Sequence, residues 1–411
     1  MLSESIYIYD AVRTPRAKGK PSSLKKSGGA LSNVLPHDLI KYLIEAVEKR
    51  NPNSTTNINR LALGCVGQIG PQGGHIALVS RLASSLLNNS IEVRTLNNYC
   101  VSGLSAVFDA ALWAQDKFQS LSLAGGVESL SQVGFLEDKA SYYNDPDLIE
   151  KLNWAPPVMG AELIATIDKL KKSDLDEITL LSHQRAENAW NNGFYDKSVI
   201  PISYNDGKDI LKKDALIKPD ITIEKLAQFK PFFEAQGKLG YDAMMLNHYP
   251  YLDKIKHLHS IANCPGMADG ASLILLGTKE AGDKIGLKPR ARIVDFTETA
   301  DSPIMQLTAG FKAMEKLLNN QKMNVNDIDR YEFMEAFAAL PVKFLNTYNV
   351  DINKVNVNGG HLAMGHPMGA TGAILITTLL NELEFSKLQK GMVVAQAGGG
   401  IGAAMLIERV N

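Results

Sequence analysis

Short apolar segments alternate with longer amphipathic segments through most of this chain, and this alternation restricts the possible fold more than any other feature. Residues 6–12 and 61–66 are apolar runs typical of strands, whereas residues 35–49 carry apolar side chains at helical spacing. This alternation predicts an α/β fold in which helices cover the faces of a sheet. Residues from about 128 to 255 break the pattern with many Lys, Asp, Asn and Pro residues. We expect them to form an ordered excursion over the core.

Two stretches of the core look alike. In the first, Cys100 precedes a helix of small residues, a strand and the pair Gly125-Gly126. In the second, His366 precedes a helix of small residues, a strand and glycines 398–400. A duplicated α/β unit would relate the two stretches by a pseudo-twofold axis. We therefore expect Cys100 and His366 to meet in one pocket despite their separation in the sequence.

Cys100 is the strongest candidate for a nucleophile. It stands on a predicted loop that opens a helix, and the unpaired N–H groups and positive end of such a helix favour a thiolate. The alternative is a buried structural cysteine. The other cysteines are Cys65 and Cys264, and three scattered cysteines are too few for a disulfide framework or a zinc site. We expect these two to be packed small residues in a reducing compartment.

Composition argues against several classes of function. The 411 residues include 43 basic and 44 acidic side chains, so the formal net charge of -1 gives no field that would attract nucleic acid. No apolar stretch approaches the roughly 18 residues of a membrane span, and the N-terminus has no signal-peptide pattern. We expect a cytoplasmic location with no membrane association. The sequence shows no metal cluster, and no G-x-G-x-x-G fingerprint follows a predicted strand.

His366 lies in a glycine-dense segment, residues 359–373. Glycines allow close backbone approach, and an imidazole offers a base near neutral pH. A single histidine is more often structural, but the His366-Pro367 step within this segment favours a catalytic role. A cysteine with a histidine is the minimum set for nucleophilic acyl transfer.

These segments resemble the signature segments of the thiolase family, the acetyl-CoA acetyltransferases. The likeness includes the flanks of Cys100 and residues 125–129, 359–373 and 397–403, and it extends over essentially the whole chain. It implies the α/β thiolase fold, in which two similar βαβαβαββ halves pack as five αβαβα layers with an inserted loop domain.

The resemblance also implies domain bounds and ligands. We expect the N-terminal half at residues 1–280, with its loop domain at about 128–255, and the C-terminal half at residues 281–411. Members of the family use acyl-CoA as substrate, hold no bound cofactor or metal, and assemble as homodimers or homotetramers. We expect the same of this chain.

Four positions acquire roles from the resemblance. The nucleophilic cysteine of thiolases, which takes the acyl group, is matched by Cys100, and the histidine that activates it is matched by His366. A second cysteine, which moves the α-proton in the Claisen step, is replaced by Gln396, and an amide cannot ionise near neutral pH. The Asn or His that positions a water is replaced by Met334. We expect ordinary thiolase activity to be severely reduced unless another group substitutes.

His361 is the candidate for that substitute base. Relatives commonly carry a small residue at this position, five residues before His366, and an imidazole there could reach the cavity. The alternative is that His361 points into a neighbouring layer as a satisfied polar residue.

The coenzyme A site is partly indicated by the same resemblance. Met159 belongs to a segment that approaches the pantetheine arm, and Lys218 stands where relatives often carry an arginine near the nucleotide. Asn263 belongs to a segment that contacts the ligand through a serine, here replaced by Pro265. We expect Met159, Lys218 and Asn263 to contribute to CoA binding.

Three functions stay open on the sequence alone. The leading one is an acyl-CoA acyltransferase of the acetyl-CoA acetyltransferase type, with an acyl-Cys100 intermediate and His366 as the activating base. The second omits the Claisen step and passes the acyl group to water, an amine or a hydroxyl. The third is a catalytically weak paralogue kept as a partner subunit, and the retention of both Cys100 and His366 argues against it.

Overall fold

A mixed β-sheet of ten strands runs through the part of the protein that the computed structural model describes, residues 5–23, 27–115, 117, 119–203 and 209–410. The strands are β1 (Ile6–Arg13), β2 (Ala17–Lys18), β3 (Ile58–Gly64), β4 (Glu92–Leu96), β5 (Leu121–Ser129), β6 (Ile202–Ser203), β7 (Asp209–Leu211), β8 (Ala268–Gly277), β9 (Ala291–Ala300), β10 (Arg330–Phe333), β11 (Lys390–Ala397) and β12 (Ile401–Arg409). The helices are α1 (Pro36–Arg50), α2 (Ile76–Ala83), α3 (Ser102–Gln115), α4 (Ser141–Asn144), α5 (Pro146–Leu152), α6 (Pro157–Ile167), α7 (Lys172–Asn191), α8 (Ile223–Gln228), α9 (Glu234–Gln236), α10 (Asp242–His248), α11 (Lys279–Lys284), α12 (Ala309–Gln321), α13 (Ala339–Tyr348), α14 (His361–Met364) and α15 (Met368–Phe385). Within the described ranges, no helix is both long and apolar enough to cross a membrane.

The two halves of the sheet share one strand order and one set of strand directions. The order is β1-β8-β5-β3-β4 in the first half and β9-β12-β11-β10 in the second. β3 is parallel to β4 and β5, while β8 is antiparallel to β5 and β1. Equivalently, β10 is parallel to β11, while β12 is antiparallel to β11 and β9. In the second half, a single parallel bridge between Tyr331 of β10 and Val355 takes the position that β4 has beside β3 in the first half. The structure therefore contains the duplicated unit that the sequence predicts.

The halves join through a short antiparallel pairing of β1 with β9. Ile6 lies opposite Ile293, and Ile8 lies opposite Ala291. Because β1 and β9 are equivalent strands, the pseudo-twofold axis passes through this joint.

Two helices form the middle layer between the halves. α3 packs on β3 and β5, α15 packs on strands of both halves, and the two helices contact each other. α1 and α2 cover the outer side of the first half, and α12 covers β9 and β12 of the second. This succession of helices and sheets corresponds to the five predicted αβαβα layers.

Small residues allow α3 and α15 to approach each other closely. Ala106 and Ala110 on α3 are fully buried. A Cβ atom on Gly372 of α15 would lie only 2.3 Å from the backbone nitrogen of Leu104. Since interiors are close-packed, a larger residue at this crossing would separate the two helices.

The chain between β5 and β8 forms the predicted excursion. It contains α4 to α10 and a two-stranded sheet of β6 and β7. An apolar cluster that includes Met159, Leu163 and Met245 holds part of it together. The boundary expected between residues 280 and 281 falls within α11, and this division into domains stays a proposal.

Candidate active site

Cys100 lies in a tight turn between β4 and α3. The Asn97 side chain accepts a hydrogen bond of 2.9 Å from the Tyr99 N–H, and the Ser102 hydroxyl accepts one of 2.8 Å from the Asn98 N–H. Tyr99 has a φ of 47°, a left-handed conformation that is rare for a bulky residue. These side chains hold the strained turn in place and thereby fix the position of the Cys100 backbone.

His366 lies in the equivalent place in the second half, between α14 and α15. Gly365 before it has a φ of 88°, which favours glycine. The backbone N–H of His366 donates to the Gly266 carbonyl at 2.9 Å, and Nδ1 lies 2.8 Å from the Thr371 hydroxyl. The Nε2 atom is buried and has no hydrogen-bond partner among the described residues. Nε2 is therefore the nitrogen that is free to exchange a proton.

The crossing of α3 and α15 brings these two turns to the same region. Cys100 and His366 each precede by two residues the first residue of their helix. At the crossing, a Cβ atom on Gly103 would lie 2.7 Å from the Gly369 carbonyl oxygen. Cys100 lines a cavity together with Met368, the first residue of α15, whereas His366 and His361 are not among the residues that line it. The expectation that Cys100 and His366 share one pocket stays a prediction.

Glu128 connects the loop after β3 with the start of α15. Its buried carboxylate accepts hydrogen bonds from the backbone N–H groups of Val66, Gly67 and Gly369 at 2.9, 3.0 and 2.9 Å, and from the Gln72 amide at 2.8 Å. Burial raises the pKa of Glu128, whereas these donors oppose that change. The sequence included Glu128 in the resemblance but gave it no role.

Cys100 and His366 are both neutral in their surroundings at pH 7. Burial and, to a smaller degree, the charge of Glu128 raise the pKa of the Cys100 thiol to about 12. Burial and the positive charge of Arg16 lower the pKa of His366 to about 4. The expectation that the helix N-terminus favours a thiolate is therefore wrong, because burial outweighs the helix end. The arrangement presents a thiol and an imidazole base.

Gln396 and Met334, the two altered positions, are neighbours in the interior. The Gln396 side-chain amide donates a short hydrogen bond to the Met334 carbonyl, and its Oε1 atom has no hydrogen-bond partner among the described residues. A Cβ on Gly310 would lie 2.7 Å from this Oε1, so the amide faces the start of α12. The residues that line the Cys100 cavity include neither Gln396 nor Met334.

His361 is buried at the first position of α14. Its ring centroid lies 5.6 Å from that of His366, and the two rings are nearly perpendicular at 82°. Neither of its ring nitrogens has a hydrogen-bond partner among the described residues. Burial and the charge of Arg16 lower the pKa of His361 well below its usual value. The expectation of a satisfied polar residue in a neighbouring layer does not fit an imidazole without partners.

The three residues predicted to bind CoA lie apart from the Cys100 cavity. Met159 is buried in the apolar cluster of the excursion. Asn263 is buried too, and its amide donates to Asp176 at 2.9 Å. Lys218 lies beside an open surface pocket that Lys225 also lines. The role of the three residues in CoA binding stays a prediction.

Sequence reasoning missed the aromatic wall of the Cys100 cavity and the guanidinium beside the two histidines. The wall includes Phe135, Tyr142 and Trp154, all from the excursion. Arg16 donates from Nη1 to the Gly365 carbonyl at 3.1 Å. A concentration of aromatic residues within an otherwise polar excursion was the available signal for the wall, whereas the position of Arg16 has no local signal.

Comparison with known families decides the identity of this fold. The family model described as thiolase, N-terminal domain, matches residues 6–240, and the model described as thiolase, C-terminal domain, matches residues 287–409. The chain belongs to the thiolase family. It is therefore an enzyme of an acyltransferase family, as the sequence predicted.

Individual thiolases resemble the chain over its full length. It is 32% identical to a 3-ketoacyl-CoA thiolase of Serratia proteamaculans over 99% of the chain and 100% of the relative. It is 30% identical to a β-ketoadipyl-CoA thiolase of Pseudomonas aeruginosa over all of both chains. The crystal structure of the Bacillus anthracis acetyl-CoA acetyltransferase is 28% identical, with a TM-score of 0.83 over 99% of both chains. Human mitochondrial 3-ketoacyl-CoA thiolase is 25% identical, with a TM-score of 0.84 over all of both chains. These structures confirm the predicted thiolase fold.

Proposed function

We propose that this thiolase-family enzyme transfers acyl groups from acyl-CoA through a thioester on Cys100, with His366 as the activating base. The observation that carries the proposal is the equivalent placement of the two residues before α3 and α15, which cross at Gly103 and Gly369. The free Nε2 of His366 supports the same role.

In the acylation step, Nε2 of His366 takes the proton of the Cys100 thiol as the sulfur attacks the thioester carbonyl. The bond between the carbonyl carbon and the CoA sulfur then breaks, and His366 returns the proton to that sulfur. One acyl-CoA and one thiol give one acyl-Cys100 and one free CoA. Because the pKa of His366 is about 4, the imidazole is in the basic form at pH 7. General-base help of this kind is typically worth about 10²–10⁴-fold.

The turn that contains Gly398 and Gly399 lines the cavity beside Cys100. Gly399 has a φ of 76°, which lets the backbone turn tightly at this place. We propose that backbone N–H groups of this turn donate to the thioester oxygen during attack, since such donors are typically worth about 10²–10³-fold.

A Claisen step would need a base other than Gln396, which replaces the second cysteine of thiolases. The amide of Gln396 does not ionise and is directed toward Met334 and α12, so it does not serve a Claisen step. His361 is the proposed substitute because it is a buried imidazole beside His366 with both nitrogens free. The same placement of Gln396 favours a second candidate function, in which water, an amine or a hydroxyl accepts the acyl group without a Claisen step.

Intact-protein mass spectrometry after mixing with acetyl-CoA tests the proposal. We expect an acetyl adduct on the wild-type enzyme, none on Cys100→Ser, and much slower formation on His366→Ala. Absence of an adduct with any thioester would refute acyl transfer and leave the weak paralogue that acts as a partner subunit. Loss of the acetyl adduct only when a second acetyl-CoA is present supports the Claisen route. Slow loss of the acetyl group to water supports hydrolysis. His361→Ala should abolish turnover by the Claisen route while leaving adduct formation intact, and unchanged turnover rejects His361 as the base.

The remaining proposals concern the ligand and the assembly. Acyl-CoA as the substrate follows from the family, and Met159, Lys218 and Asn263 are proposed to help bind its CoA part. Lys218 and Lys225 beside one open pocket offer positive charge for the phosphates. A homodimer or homotetramer, a cytoplasmic location and the absence of a bound cofactor or metal stay predictions from the sequence.

A further inference from the structure

The cavity at Cys100 has an aromatic wall. Phe135, Tyr142, Tyr143 and Trp154 come from the excursion, and Tyr99 completes the wall. The ring centroids of Tyr142 and Tyr143 lie 6.3 Å apart, and those of Tyr143 and Trp154 lie 5.8 Å apart. Rings at these distances form a continuous apolar surface.

The charged residues of this cavity are all acidic. Every residue that lines it is within the described part of the chain, and this set contains Glu137 and Asp138 but no Lys, Arg or His. Asp138 accepts a hydrogen bond from the Tyr143 hydroxyl, and Glu137 accepts one from the Gly134 N–H. Both carboxylates are exposed, so they place negative charge at the mouth of the cavity.

The positive charge lies elsewhere. Lys218 and Lys225, together with one carboxylate from Asp220, line the open pocket on the excursion, which shares no residue with the Cys100 cavity. The acyl group of the intermediate is bonded to the Cys100 sulfur, so it must occupy space next to that sulfur. The aromatic cavity is that space, whereas the lysine pocket suits the phosphates of CoA.

We propose that the cavity accepts acyl groups whose far end is uncharged and rejects acyl groups that end in a carboxylate. This inference rests on the proposed function, because it assigns the substrate class of the same site. An apolar chain gains contact with the aromatic wall. A terminal carboxylate that lies against the rings loses part of its hydration and finds no cation among the lining residues, and on its way in it is repelled by Glu137 and Asp138 at the mouth.

A matched pair of substrates tests this specificity. Hexanoyl-CoA and adipyl-CoA have the same chain length and differ only in the terminal carboxylate. The rate of adduct formation on Cys100, followed by intact mass, should favour hexanoyl-CoA by at least about tenfold. Equal rates, or faster reaction with adipyl-CoA, would overturn the proposal.

A charge-reversing variant at the mouth tests whether this cavity causes the preference for hexanoyl-CoA over adipyl-CoA. Glu137→Arg should lower the ratio of the hexanoyl to the adipyl rate by at least about threefold, because it replaces a repelling charge with an attracting one. Glu280→Arg on α11 makes the same charge change at an exposed position that does not line the cavity, and the ratio should not move. The proposal fails if both variants shift the ratio alike, or if neither does.

Acetyl-CoA separates this proposal from the proposed function. Its acyl group carries only a methyl beyond the carbonyl, so its reaction depends least on the aromatic wall and reports mainly on Cys100 and the CoA part. If acetyl-CoA, hexanoyl-CoA and adipyl-CoA all give no adduct, the proposed function itself is refuted. If acetyl-CoA reacts while hexanoyl-CoA and adipyl-CoA react equally, only the specificity is refuted.

Discussion

Asp214 holds two arginines together beneath the histidine loop. Its carboxylate accepts two hydrogen bonds of 2.8 Å from the guanidinium of Arg13, and Arg16 donates to it from the backbone N–H at 2.8 Å and from Nε at 3.4 Å. The Trp190 indole donates to it as well, at 3.1 Å. All three charged side chains are almost fully buried. Asp214→Asn would therefore leave two buried positive charges without a counter-charge.

The expected cost follows from the pKa of the carboxyl group. The arginines lower the pKa of Asp214 from 3.8 to about 2 despite its burial. A lowered pKa means that the ionised form stabilises the fold above pH 3.8 and that this contribution is lost as the pH falls toward 2. The fall of the Asp214 pKa from 3.8 to about 2 corresponds to about 2–3 kcal/mol at pH 7, since a pKa change of one is worth about 1.4 kcal/mol. The two arginines left unpaired add to this, and we expect a loss of about 3–5 kcal/mol.

Urea denaturation at pH 7, followed by circular dichroism, measures this free energy of unfolding. The matched control is Asp283→Asn, which removes an exposed carboxylate paired with Lys279 on α11. Because water screens an exposed pair of this kind, the control should lose far less stability than Asp214→Asn. A loss below about 1 kcal/mol for Asp214→Asn, or equal losses for both variants, would contradict the reasoning.

The titrating groups around Cys100 give three further expectations. Because His366 has a pKa of about 4, acetylation of Cys100 should show no inflection near pH 6.5, while His366→Ala should slow it by about 10²–10⁴-fold; a titration near pH 6.5 would count against this role. Glu128→Gln should lower the pKa of Cys100, and iodoacetamide should alkylate that thiol faster at pH 9; an unchanged rate would mean that burial alone sets the pKa. The lowered pKa of His361 makes stability fall as the pH drops below about 6.5, so His361→Leu should lose less unfolding free energy than the wild type between pH 7 and 5, and an equal loss in both proteins argues otherwise.

The fold was predictable because its signals are local and repeated. The sequence of each half predicts the same order of strands and helices, and the small residues after Cys100 and His366 indicate the two middle helices. Equivalent positions in a duplicated unit follow from that repetition. The sequence therefore predicted that the two residues stand before equivalent helices, although their chemical roles stay a proposal.

The electrostatics of the site could not be predicted, because they depend on groups distant in the chain. Arg16 reaches the carbonyl of Gly365, 349 residues away, and its charge acts on His366. Burial of Cys100 depends on the packing of α15 against α3, and the helix end seen from the sequence suggested the opposite pKa direction. The aromatic wall escaped notice for the same reason, since Tyr142 and Trp154 meet Cys100 only in the folded excursion.

The position of β8 between β1 and β5 has a consequence for synthesis on the ribosome. β5 emerges early, but its partner across the sheet ends at Gly277, after the whole excursion has been made. Until then the nascent chain carries β1 and β5 with open edges, and unpaired strand edges invite association with other chains. The excursion therefore delays the pairing of β8 with β1 and β5 during synthesis. A ribosome that stalls within it would leave the first half without β8, so that the edges of β1 and β5 that face β8 stay unpaired.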